Sequence, residues 1–192
     1  MQKIIGFIAL IGIAIGIAWW SMKPQDEVQQ ADGASSGPLK VGFVYLTNPG
    51  DHGWTYAHEV GRQDLQAHFG DKIETNFVEN VAEGPDAARV IRELVEQGNE
   101  VIFTTSFGYM DPTLKVSKEF PNVKFHHITG YKRSENMATG NIRFYEGRYV
   151  QGVVAGLMTK TNKIGYLGAF PIPEVIQGIN AFASGLRSVN KE

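Results

Sequence analysis

Thr47-Asn48-Pro49-Gly50-Asp51-His52-Gly53-Trp54-Thr55-Tyr56-Ala57-His58-Glu59-Val60-Gly61-Arg62 is the stretch on which the fold turns. It follows Val41-Gly42-Phe43-Val44-Tyr45-Leu46, a run apolar almost throughout, as a strand buried on both faces of a parallel sheet must be. Asn48, Pro49, Gly50 and Asp51 break the run as loop residues. A helix beginning near Trp54 is expected to put Trp54, Ala57, Gly61, Leu65 and Phe69 on one face. Strand, glycine-containing loop and helix N-terminus in that order build a ligand mouth in an open α/β sheet. Asp51, His52, Trp54, Thr55 and His58 are concentrated at it. An ordinary βα turn with Asp51 as a helix cap produces the same pattern, so the stretch decides fold before it decides function.

Working outward toward the C-terminus, strand and helix alternate with short connections. Ile73 to Val78 reads as a second strand, and Gly84-Pro85-Asp86 opens a helix. Its Ala87, Val90, Ile91, Leu94 and Val95 follow the i, i+3, i+4 spacing of an amphipathic stripe, and Gly98 ends it. Glu100 to Thr104 is a third strand with the loop Thr105 to Tyr109 at its end, and Asp111-Pro112 starts another helix. Val123 to Ile128 is a fourth strand. Asn141 to Phe144 is read as a short strand before a helix from Glu146 to Met158. Lys163 to Leu167 is read as one more strand, with a last helix from Glu174 to Ser188. This alternation gives an α/β class with a parallel sheet, whose strand-end loops converge on one edge. Trp54, Phe107 and Tyr109 lie in or beside such loops and suit sandwiching a flat ring.

Working outward toward the N-terminus, Lys3 precedes an apolar run from Ile4 to Trp20 that closes on Trp19-Trp20. At about 17 residues it is long for a signal core and short for a membrane span. Residues 1–22 are therefore read as an uncleaved anchor or a cleaved signal peptide, either of which implies export to the periplasm or cell surface. Residues 23–38 are polar and read as a flexible linker. The whole chain has 192 residues, 43% hydrophobic content and a formal net charge of -2. That is an ordinary globular composition with no electrostatic footprint for nucleic acid. Cysteine is absent, which excludes disulfides, thiolate metal sites, a cysteine nucleophile and lipid attachment through an N-terminal cysteine.

Little else points to catalysis. Asp51, Glu146 and Glu174 each stand near a helix start, where a carboxylate is favoured by the dipole in any protein. His126 and His127 are adjacent in a strand and point to opposite faces, so they do not share a metal. His52 and His58 are out of helical phase, and no third ligand is spaced for zinc. A nucleophile elbow and the standard phosphate-binding glycine loops are absent, and Ser106 has no evident base. The expectation is a protein that is no enzyme and needs neither cofactor nor metal.

The blocks Lys40 to Val44, Asp51-x-Gly-Trp54-Thr55 and Phe120-Pro121-Asn122-Val123-Lys124-Phe125 together resemble the basic membrane protein family of solute-binding proteins. That family serves ABC transporters, and the purine nucleoside receptor lipoproteins are relatives. The likeness continues through Tyr145-Glu146-Gly147-Arg148-Tyr149 and Gly152 to Gly156, and through Met158-Thr159-Lys160-Thr161-Asn162-Lys163-Ile164-Gly165-Tyr166, its most specific block. It ends at Pro171-Ile172-Pro173-Glu174-Val175 and so covers the whole globular part.

The resemblance implies a type I periplasmic-binding-protein-like fold, a parallel sheet with helices on both faces, in two lobes that close on a ligand. Residues 39–162 would form the N-terminal lobe and 163–192 only the beginning of a second, as in the N-terminal portion of a longer protein. It implies an extracytoplasmic component of an ABC importer that binds a purine nucleobase or nucleoside and delivers it to permease subunits. Trp54 and Phe170 would stack on the base; Asp51, Thr55 and Ser106 would hydrogen-bond it; Phe107 and Tyr145 would line the pocket. Where nucleoside-binding relatives carry Asp after the fourth strand, this chain has Thr129-Gly130-Tyr131, which favours a bare nucleobase or another small heterocycle. The alternatives are a sensory module of the same fold feeding a signalling partner and, less well supported, an exported α/β hydrolase.

Overall fold

The sheet follows from the apolar runs. In a computed structural model that describes residues 37–50 and 52–191, β1 (Leu39–Val44), β2 (Ile73–Val78), β3 (Val101–Thr104), β4 (Lys124–Ile128) and β5 (Met137–Gly140) form one sheet in the order β2-β1-β3-β4-β5. Every pairing is parallel, with Val41 opposite Thr75 on one side and Val101 on the other. The chain enters at β1, steps outward to β2, then crosses back to β3. The loops after β1 and β3 therefore diverge and leave a crevice at the carboxyl ends, where open α/β sheets hold ligands. From Gly37 onward the chain forms one compact unit. The anchor read at 1–22, nearly all of the linker read at 23–38, and Asp51 lie outside the described residues. Among the described residues, no helix is long and apolar enough to cross a membrane.

Side chains alternate along β1, so each sheet face receives its own layer. On one face Val44, Ile102 and Phe125 are buried against α2 (Pro85–Glu96) and α3 (Met110–Glu119). The expected stripe on α2 is the one that packs: Ala87, Ile91 and Leu94 are sealed, and each large aliphatic side chain so buried contributes roughly 1.5–3 kcal/mol. On the other face Val41, Phe43 and Tyr45 meet Leu65 of α1 (Trp54–Phe69) and Phe103, whose ring stacks on Phe43 at 4.9 Å.

The expected inner face of α1 is not the observed one. Trp54 and Phe69 are substantially exposed and Ala57 and Gly61 are exposed, while Thr55 and Glu59 are buried. The helix is rotated because its polar side is satisfied against the sheet. Glu59 accepts from Arg62, Gln63 and the Tyr45 hydroxyl, and Arg62 Nη1 donates to Thr75 Oγ1 at 2.7 Å. A fully paired polar face can be buried where an unpaired one cannot.

Two expected strands are absent. The fifth strand is Met137–Gly140, not Asn141 to Phe144, because the ladder ends where Thr129 N donates to Gly140 O and the buried Met137 fills the core. Phe144 is already the first residue of α4 (Phe144–Met158). Residues 163–167 run without a ladder partner among the described residues, and Leu167 is 97% exposed. They lead to α5 (Pro173–Val189). There α4 and α5 meet at glycines: a Cβ on Gly152 would collide with the Phe182 carbonyl, and one on Gly185 with the Tyr149 carbonyl.

Candidate functional site

The crevice at the carboxyl ends of β1 and β3 is closed into a cavity of about 470 Å3 by the segment leading into α5. That volume is within the usual range for small-molecule pockets. Trp54 opens α1 directly after the β1 loop, and its indole Nε1–H donates to the Thr105 carbonyl at 2.6 Å. Thr105 is in turn held by its own hydroxyl, which donates to Val44 O at 2.8 Å. The indole is thereby tied to both loops of the crevice. His58 meets it edge-on at 4.9 Å, and burial holds that imidazole below its ordinary range. Phe170, in the segment before α5, lines the same cavity and is 58% exposed.

The polar groups are few. Thr55, buried on α1, shares a hydrogen bond with Thr47 at 2.8 Å. Ser106, buried at the end of β3, donates to Glu83 Oε1 at 2.5 Å, and Gly108 N donates to the same oxygen at 3.0 Å. A side chain at position 108 would occupy the space of that carboxylate, so the close approach requires glycine. Thr129 ends β4 at φ 70°, a conformation β-branched residues avoid. Glu174, in the first turn of α5, also lines the cavity. Burial pushes its carboxyl above the ordinary carboxylate range, and the charge of Arg148 on α4 opposes this.

Behind Thr129 the fully buried His127 is fixed through Nδ1, 3.0 Å from Thr104 Oγ1, which lies 2.9 Å from Thr113 Oγ1. Burial first, and then the neighbouring His126, take His127 down to about 4, so it is neutral at physiological pH. Its partner His126 points to the opposite face, toward Phe103 at 5.4 Å. Among the described residues, no group of three or more His, Cys, Asp or Glu could hold a metal ion.

Of the residues singled out from sequence, Trp54, Thr55, Ser106, Phe107 and Phe170 line this one cavity. Tyr145 is half-buried on α4 and is not among the lining residues; Phe144, one position earlier, approaches the Trp54 ring at 5.9 Å. Asp51 falls outside the described residues. Thr47 and Glu83 were not singled out, and Glu174 was read only as a helix-start carboxylate. Thr47 and Glu83 follow strands at their carboxyl ends, so the rule that pointed to Ser106 could have found them.

Known proteins resemble the chain in sequence and in fold. Residues 39–192 match the family model described as ABC transporter substrate-binding protein PnrA-like. A purine-binding protein of Brucella abortus is 60% identical over 154 residues, covering 80% of this chain and 44% of its own length. A Haloferax volcanii protein named as an ABC transporter glucose-binding protein is 42% identical, covering 86% of this chain and 42% of its own length. The chain thus spans less than half the length of either relative. A solved ABC transporter solute-binding protein from Conexibacter woesei shares the fold, with a TM-score of 0.63 at 22% identity over 80% of this chain and 51% of that one.

Proposed function

The chain belongs to the PnrA-like family of ABC transporter substrate-binding proteins, and from that premise we propose that it is the extracytoplasmic solute-binding part of an ABC importer, taking a purine-type ligand between Trp54 and Phe170. The observation that carries the reading is that two aromatic rings, Trp54 and Phe170, line one mostly apolar cavity together with the buried polar residues Thr55 and Ser106. Two rings give affinity for a flat base by stacking, and a few fixed polar groups give selectivity. The high identity to a purine-binding protein of Brucella abortus supports the same ligand class. The protein does no chemistry in this reading. Binding closes the ligand in, and the closed form is delivered to permease subunits. The apolar segment read at 1–22 would export it and, if retained, tether it to the membrane.

Calorimetric titration of the full chain with adenine, adenosine and glucose tests this. The glucose-binding name of the Haloferax volcanii relative makes glucose the informative competitor. Adenine is expected to bind, and Trp54→Ala is expected to weaken it about 5- to 150-fold, the equivalent of roughly 1–3 kcal/mol for one stacked base. Glucose binding without purine binding would overturn the ligand class.

A further inference from the structure

Glu83 stands on the loop between β2 and α2, and that loop is pinned from two sides. Val81, buried two residues earlier, donates from its N to Tyr45 O at 3.1 Å. Its own carbonyl accepts the Tyr109 hydroxyl at 2.6 Å. Glu83 is exposed and lines the cavity of about 470 Å3. Its Oε1 takes the Ser106 hydroxyl at 2.5 Å and the Gly108 N–H at 3.0 Å. The carboxyl carbon and both oxygens fill the space that a Cβ at position 108 would need, so the group is seated against the backbone of the loop after β3. Among the described residues, Oε2 takes no hydrogen bond.

The donors on this part of the lining are thereby spent. A serine hydroxyl has one proton, and Ser106 gives it to Glu83, so toward a ligand its oxygen can only accept. The Gly108 N–H is used in the same way. Oε2 is the remaining acceptor of the carboxylate. None of the side chains lining the cavity is basic, and the two that titrate, Glu83 and Glu174, are both acids. A ligand acceptor placed beside Glu83 would meet only lone pairs, whereas a donor would meet an acceptor already fixed in position. Resting on the purine reading above, we propose that Glu83 sets specificity in this cavity by accepting the exocyclic amino group of an aminopurine such as adenine, with Ser106 held as a second acceptor beside it. An amino group carries two N–H donors on one atom and so suits two neighbouring acceptors, where a ring N–H offers one.

The test is calorimetric titration of the full chain with adenine, unsubstituted purine and hypoxanthine. Purine lacks the amino group, and hypoxanthine carries an oxygen in its place. Wild type is expected to bind adenine at least about tenfold more tightly than purine, as one hydrogen bond to a carboxylate implies. Glu83→Gln keeps the shape and keeps an oxygen for Ser106 and Gly108, which orients the amide with Nε2 as its free group. The variant thus turns the acceptor into a donor. Its adenine-to-purine ratio should fall to within about threefold, and hypoxanthine should gain on adenine by at least about tenfold. A purely structural role for Glu83 would weaken all three ligands alike and leave their ratios unchanged. Should the Gln variant fail to fold, the adenine-to-purine ratio of wild type still decides. Adenine and purine binding alike to wild type, or unchanged ratios in a folded Gln variant, would overturn the proposal while leaving the purine reading in place. If wild type binds none of the three, both fall together.

Discussion

Glu59→Ala tests why α1 sits as it does. Glu59 and Arg62 make two bonds, Nη2 to Oε1 at 2.6 Å and Nε to Oε2 at 2.8 Å, with side chains only 10% and 15% exposed. Removing the carboxylate leaves the guanidinium with Thr75 Oγ1 and the Phe77 face at 5.2 Å, and leaves the buried Tyr45 hydroxyl without its acceptor. Breaking a buried pair costs about 3–5 kcal/mol, and the residual exposure here places the loss near about 3 kcal/mol. For a chain of this size that lowers Tm by about 6–12 °C, measured by calorimetry alongside urea titration. Glu59→Gln, which keeps an acceptor, should cost only about 1–2 kcal/mol. Replacing both partners, Glu59→Leu with Arg62→Met, should recover most of the loss, since it strands no charge. The pH dependence has a definite sign. The Arg62 hydrogen bond holds Glu59 below the ordinary carboxylate value of 4.5, so its contribution is present above that pH and is lost as pH falls through the lower folded value. A loss below about 1 kcal/mol for Glu59→Ala, or a double variant as unstable as the single one, would refute the network as the reason for the helix phase.

Burial of neutral His127 should make stability fall by up to about 3 kcal/mol as pH drops from 6.5 to about 4, because only the unfolded chain takes up that proton over this range; acid titration of wild type against His127→Gln should show the slope flattened in the variant. Gly152→Ala or Gly185→Ala should each destabilise the α4–α5 pair by about 1–3 kcal/mol through collision with a backbone carbonyl, read by thermal melting, whereas Gly147→Ala, with open space around it, should be neutral or stabilising. Asn136 Nδ2 reaches the carbonyls of Ser117, Phe120 and Val123, each at 2.9 Å, so Asn136→Ala should cost about 1–3 kcal/mol in chemical denaturation by orphaning the turn that leads into β4.

Periodicity made the sheet and α2 legible because their burial is apolar. The run from Val41 to Tyr45 alternates between two cores, and Ala87 to Leu94 forms a stripe that nothing polar interrupts. The phase of α1 was not legible, since its inner face is Thr55, Glu59 and Arg62, and hydrophobic spacing cannot report a polar network completed by Tyr45 and Thr75 from other strands. The segment 163–167 has strand-like composition, but a strand exists only with a ladder partner, and none stands beside it among the described residues. In the cavity, Trp54, Ser106 and Phe107 announced themselves at or beside strand ends. Glu174 did not, because a carboxylate in a first helical turn has a sufficient local explanation. Thr129 became informative through its φ of 70° and its orphaned hydroxyl.

The most direct measurement is a crystal structure of the full chain grown with adenine. The base is expected between the Trp54 and Phe170 rings, in the cavity that Thr55 and Ser106 also line. Density for the base elsewhere, or a cavity that excludes it at saturating adenine, would contradict the assignment of this crevice as a purine site.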